Sequence, residues 1–129
     1  MKILIVEDEK ALSKVLKEKF ESAKFTVKTV DNGNEVLRAT KSMKPDMILL
    51  DIILPGKQGL DVLEELKADN NLNTIPVIMI SNIDSDNDIK KALSLGAVDY
   101  FVKSQHPLKE IVDKVQEQIK KPVTKRATK

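Results

Sequence analysis

Four short apolar runs punctuate the chain, at residues 3–6, 47–50, 77–80 and 100–102, and a polar or charged residue follows each of them at once. Runs of this length are too short for a comfortable helix. Their Ile, Val and Leu content is typical of strands that are buried on both faces of a parallel sheet. We therefore expect four buried strands that run in the same direction.

Helical patterns fill the segments between and after these runs. Residues 25–30 instead alternate between apolar and polar positions, as a half-exposed edge strand does. The sequence from Ser85 to Asp88 resembles a capping box and predicts the start of a helix. Strands and helices thus alternate as (βα)5. Apolar side chains recur every three or four positions at residues 12–20, 36–43, 60–66, 89–93 and 108–119.

Right-handed crossovers between parallel strands leave few topologies, and the second and fifth strands have the character of edges. The expected fold is α/β and flavodoxin-like, a doubly wound parallel sheet with strand order 2-1-3-4-5. In that order the ends of the first and third strands meet. Glu7, Asp8 and Asp51 then surround one crevice, and Ser81 and Lys103 reach in from its far side.

The net charge of +2 at pH 7 hides an uneven distribution. Five Lys or Arg residues and no acid lie within residues 120–129, which leaves 17 bases against 20 acids in the rest of the chain. We expect one domain over residues 1–120 and a basic flexible tail or linker over residues 121–129. The domain itself is mildly acidic and is not expected to bind nucleic acid.

The chain has no cysteine, which excludes a disulfide framework and a thiolate zinc site. Its first apolar run is shorter than that of a signal peptide and meets acidic residues at once. No run approaches membrane-spanning length. We expect a soluble, cytoplasmic protein without membrane contact.

Three carboxylates in one crevice repel one another unless a cation neutralises them. An all-oxygen site without His or Cys favours Mg²⁺, with Mn²⁺ as the alternative, over zinc. A divalent ion and the Lys103 ammonium together would cancel the negative charges of Glu7, Asp8 and Asp51. Such a neutral polar pocket suits a phosphoryl group, whose transfer depends on positioning and on neutralising the charge of its oxygens.

The residues of this crevice lie in motifs that resemble the CheY-like receiver domains of response regulators in two-component signalling. The resemblance runs from Lys2 to about Lys120. The motifs occur together, in order and at strand ends, which makes the joint signal specific. They are Glu7-Asp8, residues 51–56 (DIILPG) with Gly59, Ser81, and residues 96–103 (GAVDYFVK).

The resemblance implies that Asp51 is a nucleophile that takes a phosphoryl group from a phosphohistidine and becomes a 4-aspartylphosphate. Lys103 would bind a phosphoryl oxygen. Asp8 and Asp51 would ligate Mg²⁺ together with the main-chain carbonyl of Ile53, and Glu7 would act directly or through water.

The resemblance also implies a switch and its partners. Ser81 would move to hydrogen-bond a phosphoryl oxygen and Tyr100 would turn inward behind it, which alters the surface of the fourth helix, fifth strand and fifth helix. The donor would be a sensor histidine kinase or a histidine phosphotransfer protein. An effector domain or protein, or a second copy of the chain, would bind the altered surface. The domain would assist its own phosphorylation and dephosphorylation without being a turnover enzyme.

Three features depart from the commonest receiver pattern. Asn82 stands where a small side chain is usual, so it restricts access to the phosphoryl group or adds an amide contact. Ser104 replaces the usual proline after Lys103, and because a non-proline cis peptide costs about 3 kcal/mol, a trans bond is favoured. Ile53 and Ile83 flank the approach of hydrolytic water with apolar side chains, which predicts slow self-dephosphorylation.

Taken singly, these residues have plainer explanations. Asp8 could cap the first helix, Ser81 could be a turn residue and Lys103 a solvated strand end. Their conjunction favours a site. A lone His106 beside Pro107 is expected to face solvent.

Three functions other than that of a phosphoacceptor are compatible with parts of this pattern. A flavodoxin-like electron carrier would share the strand order, but Glu7 and Asp8 would repel a flavin phosphate and aromatic residues make up only 3% of the chain. A phosphatase acting on small substrates would need a second acid near Asp51. A phosphorylation-independent pseudo-receiver, acting only as an interaction module, is kept open by Asn82 and Ser104.

Overall fold

Each apolar run forms a strand, and the alternating segment supplies a fifth. The computed structural model of the chain describes residues 1–120, with side chains for residues 1–118. The expected tail or linker at residues 121–129 lies outside the described residues. The strands are β1 (Lys2–Val6), β2 (Thr26–Val30), β3 (Met47–Leu50), β4 (Val77–Ser81) and β5 (Asp99–Val102).

The five strands form one parallel sheet in the order β2-β1-β3-β4-β5, as expected. β2 starts one residue later than the alternation predicts, because the amide of Phe25 donates a hydrogen bond to the carbonyl of Phe20 at the end of the preceding helix. The helices are α1 (Lys10–Ser22), α2 (Val36–Met43), α3 (Gly59–Ala68), α4 (Asp86–Ser94) and α5 (Leu108–Lys120), with 3₁₀ turns at Gly33–Glu35 and Lys103–Gln105.

Successive residues of the strands pack alternately into two hydrophobic cores, one on each face of the sheet. Ile3 and Ile5 of β1 pack in a cluster with residues of α1 and α5, such as Leu16 and Val115. Leu4 and its same-face neighbours pack in the other cluster with α2, α3 and α4. The sheet is therefore covered on both faces, which accounts for its continuous apolar runs.

The register aligns the strand ends that carry the polar residues. Val6 pairs with Leu50, and Ser81 pairs with Val102. The residues that follow β1, β3 and β5 therefore emerge side by side with the end of β4. Among the described residues, no helix combines the length and the apolar character needed to cross a membrane.

Candidate phosphoacceptor site

Asp51 lies directly after β3, at the centre of the sheet's carboxyl edge. Its amide donates a 3.1 Å hydrogen bond to the carbonyl of Val6, which ties it to the end of β1. Its Oδ1 accepts a 3.3 Å hydrogen bond from the amide of Ile53. The residue is only 4% exposed. A Cβ at Gly59 would collide with the carbonyl of Asp51, so glycine at the start of α3 is what allows the helix to approach this loop.

Lys103 bridges the two buried carboxylates of the edge. Its Nζ lies 2.8 Å from Asp51 Oδ2 and 2.7 Å from Glu7 Oε1. The ends of β1, β3 and β5 are thus joined by a single ammonium group. This contact exists only in the folded sheet, because the three residues are far apart in sequence.

Burial and the neighbouring charges shift the pKa values of Glu7 and Lys103 in opposite directions. Burial raises the pKa of Glu7 above its ordinary value, against the opposing influence of the Lys103 ammonium. Burial alone would lower the pKa of Lys103, but the carboxylates of Asp51 and Glu7 overcome it and hold that pKa above its ordinary value. Lys103 is therefore a cation throughout the neutral range.

The three acids predicted to share a crevice do meet. Glu7, Asp8 and Asp51 each offer a carboxylate oxygen, and these atoms lie within 4.8 Å of one another. Two oxygens bound to one Mg²⁺ at about 2.1 Å are at most about 4.2 Å apart, so the described side chains need only small shifts to share an ion. Asp8 is exposed, which leaves the cluster open to solvent, whereas Glu7 is buried. The donor set fits Mg²⁺ or Mn²⁺.

Ser81 and Tyr100 both hold the same residue of the loop after β4. The hydroxyl of Ser81 accepts a 3.2 Å hydrogen bond from the amide of Ile83. The Tyr100 hydroxyl donates a 2.6 Å hydrogen bond to the carbonyl of Ile83. Both side chains are buried, and burial raises the pKa of Tyr100. Ile83 is thus clamped through its own main chain, a role that its apolar side chain gave no means of predicting.

The residues that depart from the usual pattern lie around this centre. Asn82 is exposed and lines, with Lys103 and Ser104, a groove of about 360 Å³. The Lys103–Ser104 bond is trans, as are the other peptide bonds between described residues. The side chain of Ile53 is 55% exposed, and that of Ile83 is partly buried.

One local expectation is corrected, and one of the plainer alternatives is excluded. His106 does not simply face solvent, because its ring packs edge-on to Phe101 at 5.3 Å and its Nδ1 lies 2.9 Å from Glu110 Oε1. Asp8 does not cap α1. The N-cap residue of that helix is Glu9, whose amide instead donates a 3.0 Å hydrogen bond to Oε2 of Glu7.

Comparison with known proteins identifies the architecture. Residues 3–116 match the family described as the response regulator receiver domain. The DNA-binding response regulator MtrA of Mycobacterium tuberculosis is 32% identical over 120 residues, which cover 93% of this chain and 51% of the relative. The chain therefore spans about half the length of this relative.

Solved structures agree with the sequence match. The BeF3-activated N-terminal receiver domain of RstA from Klebsiella pneumoniae superposes with a TM-score of 0.84 at 25% identity, covering 94% of this chain and all of that one. The phosphorylated cyanobacterial phytochrome response regulator RcpA superposes with a TM-score of 0.77 at 33% identity, covering 90% of this chain and 89% of that one. With its 2-1-3-4-5 sheet and its acidic crevice beside Lys103, the chain belongs to the response regulator receiver domain family of two-component systems.

Proposed function

We propose that the chain is a phosphoacceptor, in which Asp51 takes a phosphoryl group from a phosphohistidine. The observation that carries this proposal is the position of Asp51, buried at the sheet edge with Lys103 Nζ 2.8 Å from its Oδ2 and two further carboxylates beside it. The phosphorylated relative RcpA supports the same conclusion. The donor would be a sensor histidine kinase or a histidine phosphotransfer protein.

The transfer needs few groups. A carboxylate oxygen of Asp51 attacks phosphorus and forms a P–O bond, while the P–N bond breaks and its electron pair returns to the imidazole of the donor. Lys103, already in contact with Asp51, neutralises a phosphoryl oxygen as it arrives. Ser81 supplies a hydroxyl for another oxygen.

Glu7, Asp8 and Asp51, with the main-chain carbonyl of Ile53, would hold Mg²⁺ or Mn²⁺. The ion would offset the repulsion between the carboxylates and the incoming phosphoryl oxygens. Without it, Lys103 alone balances three negative charges.

The clamp on Ile83 suggests how the site is coupled to a surface. If the Ser81 hydroxyl turns toward a phosphoryl oxygen, the amide of Ile83 loses that acceptor, while the Tyr100 hydroxyl still holds the carbonyl of Ile83. The surface of α4, β5 and α5 then changes shape, and an effector or a second copy of the chain reads that change.

The length of the relatives supports a proposal about the wider organisation of the chain. Residues 1–120 would form the receiver, and residues 121–129 would lead as a tail or linker toward an output domain or end the chain in the cytoplasm. A chain ending at Lys120 should then accept a phosphoryl group as the full chain does. The domain would act once per phosphoryl group received and not as a turnover enzyme on small substrates.

Intact mass spectrometry tests the proposal. The chain is incubated with acetyl phosphate, with and without Mg²⁺, beside Asp51→Asn and the matched variant Asp113→Asn, which removes an exposed carboxylate from α5. We expect one added phosphoryl group that requires Mg²⁺, is absent in Asp51→Asn and is retained in Asp113→Asn.

A chain that gains no mass under any condition would instead be a pseudo-receiver that acts by binding alone. Asn82→Ala and Ser104→Pro would then show whether the two departures from the family pattern block the reaction. Gain of mass in Asp51→Asn would place the acceptor elsewhere.

A further inference from the structure

A groove of about 580 Å³ runs along the outer edge of the sheet, on the side of β2 that faces away from β1. Its floor is β2, and its walls are α1 on one side and α2 on the other. Among the strands of the described residues, β2 lies at the edge of the sheet and pairs only with β1. The groove therefore exposes one backbone hydrogen-bonding edge of β2.

The hydrogen-bond pattern shows which backbone groups face it. The amide of Thr26 donates to the carbonyl of Met1, and the carbonyl of Val30 accepts from the amide of Glu7. The backbone amide and carbonyl groups of successive residues in a strand point to opposite edges of that strand. Thr26 and Val30 use theirs to pair with β1, so Val27 and Thr29 direct their amide and carbonyl groups away from β1. Within the described part of the chain these groups have no hydrogen-bond partner. They are a template for a further strand.

The walls of the groove are strongly basic. Lys10, Lys14 and Lys17 recur at a spacing that places them on one stripe of α1. Lys28 and Arg38 add two further positive charges from β2 and α2. Among the described residues, none of these five side chains lies within ion-pair distance of an acid.

The acidic residues of the groove do not cancel this charge. Asp31 and Glu35 lie at its loop end, and the buried Glu7 is already paired with Lys103. The remaining length of the groove is positive. This is unexpected in a chain that carries more acids than bases outside its last ten residues.

We propose that this groove binds an acidic, extended segment of a partner protein, which adds to β2 as a sixth strand. Main-chain hydrogen bonds to Val27 and Thr29 would give affinity, and contacts of acidic side chains with the basic walls would give selectivity. The proposal does not depend on phosphoryl transfer, because the five basic residues lie outside the Asp51 site.

Two features favour a polypeptide over nucleic acid. A phosphate only accepts hydrogen bonds, so it would leave the outward carbonyls of the strand edge unpaired, whereas a second strand pairs with both the amides and the carbonyls. Asp31 and Glu35 would also repel a phosphate backbone that entered from the loop end. Lysines on an edge strand disfavour pairing with neutral and basic strands. An acidic strand is favoured, because its carboxylates are attracted to the lysines.

A titration with a defined probe tests the proposal. The ¹⁵N-labelled chain receives a capped peptide of alternating Glu and Thr, the same peptide with every backbone amide N-methylated, or a Lys-Thr peptide. We expect amide shifts centred on Val27 and Thr29 with the first peptide only, weakening as salt rises. Lys14→Glu with Arg38→Glu should reduce the affinity by about tenfold or more, because two attractions become repulsions.

Lys90→Glu is the matched control, because it reverses an exposed charge on α4 without touching the groove. It should bind the acidic peptide as the unaltered chain does. If the double reversal does not fold, Lys14→Gln with Arg38→Gln gives the same comparison, and phosphoryl gain on Asp51 confirms an intact fold.

Three results would overturn the proposal. The first is the absence of shifts along β2 with the Glu-Thr peptide. The second is equal binding of the N-methylated peptide, which would show attraction by charge without strand addition. The third is tighter binding of random duplex DNA than of the peptide in the same groove.

Discussion

Tyr100 is the only tyrosine of a chain that has no tryptophan, so its phenol can be observed alone. Burial raises its pKa above the ordinary value of about 10. Because the folded pKa exceeds the unfolded one, the neutral phenol contributes stability that is complete below about pH 10 and is lost as pH rises through the folded pKa. Phenolate absorbance should therefore titrate at higher pH in the native chain than in denaturant.

Tyr100→Phe provides the comparison for this titration. It should remove the absorbance change and lose the hydrogen bond to the carbonyl of Ile83, at a cost of about 1 kcal/mol in unfolding free energy. A native titration at or below the pH of the denatured one would contradict the buried position of the phenol.

On the proposed function, the side chains of Ile53 and Ile83 should affect how long a phosphoryl group stays on Asp51. Both are apolar, so neither can orient or deprotonate an attacking water molecule. Ile53→Asn with Ile83→Glu should shorten the phosphate lifetime by about tenfold or more, since an aligned general base contributes about a hundredfold. Loss of added mass over time measures the lifetime.

The matched variant for this prediction is Ile53→Val with Ile83→Val, which stays apolar and should leave the lifetime unchanged. An unchanged or longer lifetime in the polar variant would show that these positions do not limit hydrolysis.

Among the elements, the strands were predictable because burial on both faces leaves an unbroken apolar run, as in Met47–Leu50. The site residues were predictable because they directly follow these runs, and parallel strands end at one edge of the sheet. The clamp on Ile83 was not, because it uses main-chain atoms that every residue possesses. Ser85 is the N-cap of α4, as its pattern predicts, yet its side chain makes no capping hydrogen bond. Loop backbone geometry decides that detail.

The start of α3 depends on Gly59. Its amide donates a 2.7 Å hydrogen bond to the carbonyl of Ile52, and a methyl group there would meet the carbonyl of Asp51. Gly59→Ala should therefore lower the unfolding free energy by about 1–3 kcal/mol and slow phosphoryl gain, because the loop that carries Asp51 must shift. Urea denaturation and the mass assay measure the two effects.

Gln58→Ala serves as the control for that substitution. Gln58 is the exposed N-cap residue of α3 and its side chain makes no capping hydrogen bond, so both measurements should hardly change. If Gly59→Ala behaved as Gln58→Ala does, the close approach of α3 to Asp51 would not matter to the site.

For the molecule as a whole, folding brings several negative charges together at the carboxyl edge of the sheet, and their repulsion lowers the stability of the folded chain. Folding gathers the carboxylates of Glu7, Asp8 and Asp51, and the Lys103 ammonium pairs with the first and the last of them. Mg²⁺ should stabilise the folded chain by about 2.7 kcal/mol when its free concentration is about 100 times its Kd. Asp8→Asn should be the more stable chain without Mg²⁺, because it relieves repulsion, and should gain less from the ion.

Thermal unfolding with increasing Mg²⁺ tests both statements. Asp113→Asn removes a carboxylate far from the cluster and should gain as much from Mg²⁺ as the unaltered chain. Equal gains in all three chains would mean that the ion binds somewhere other than the acidic cluster.

The contact between Lys103 and Asp51 joins residues 52 positions apart, and this separation has a consequence during synthesis. Asp51 leaves the ribosome long before Lys103 does. A growing chain therefore holds the Asp51 carboxylate without the ammonium group that pairs with it in the folded protein. No fragment that stops short of β5 can form the site. If Asp51 is the phosphoacceptor proposed above, the chain gains this competence only after β5 and Lys103 have been made, and an unfinished chain does not draw phosphoryl groups away from finished ones.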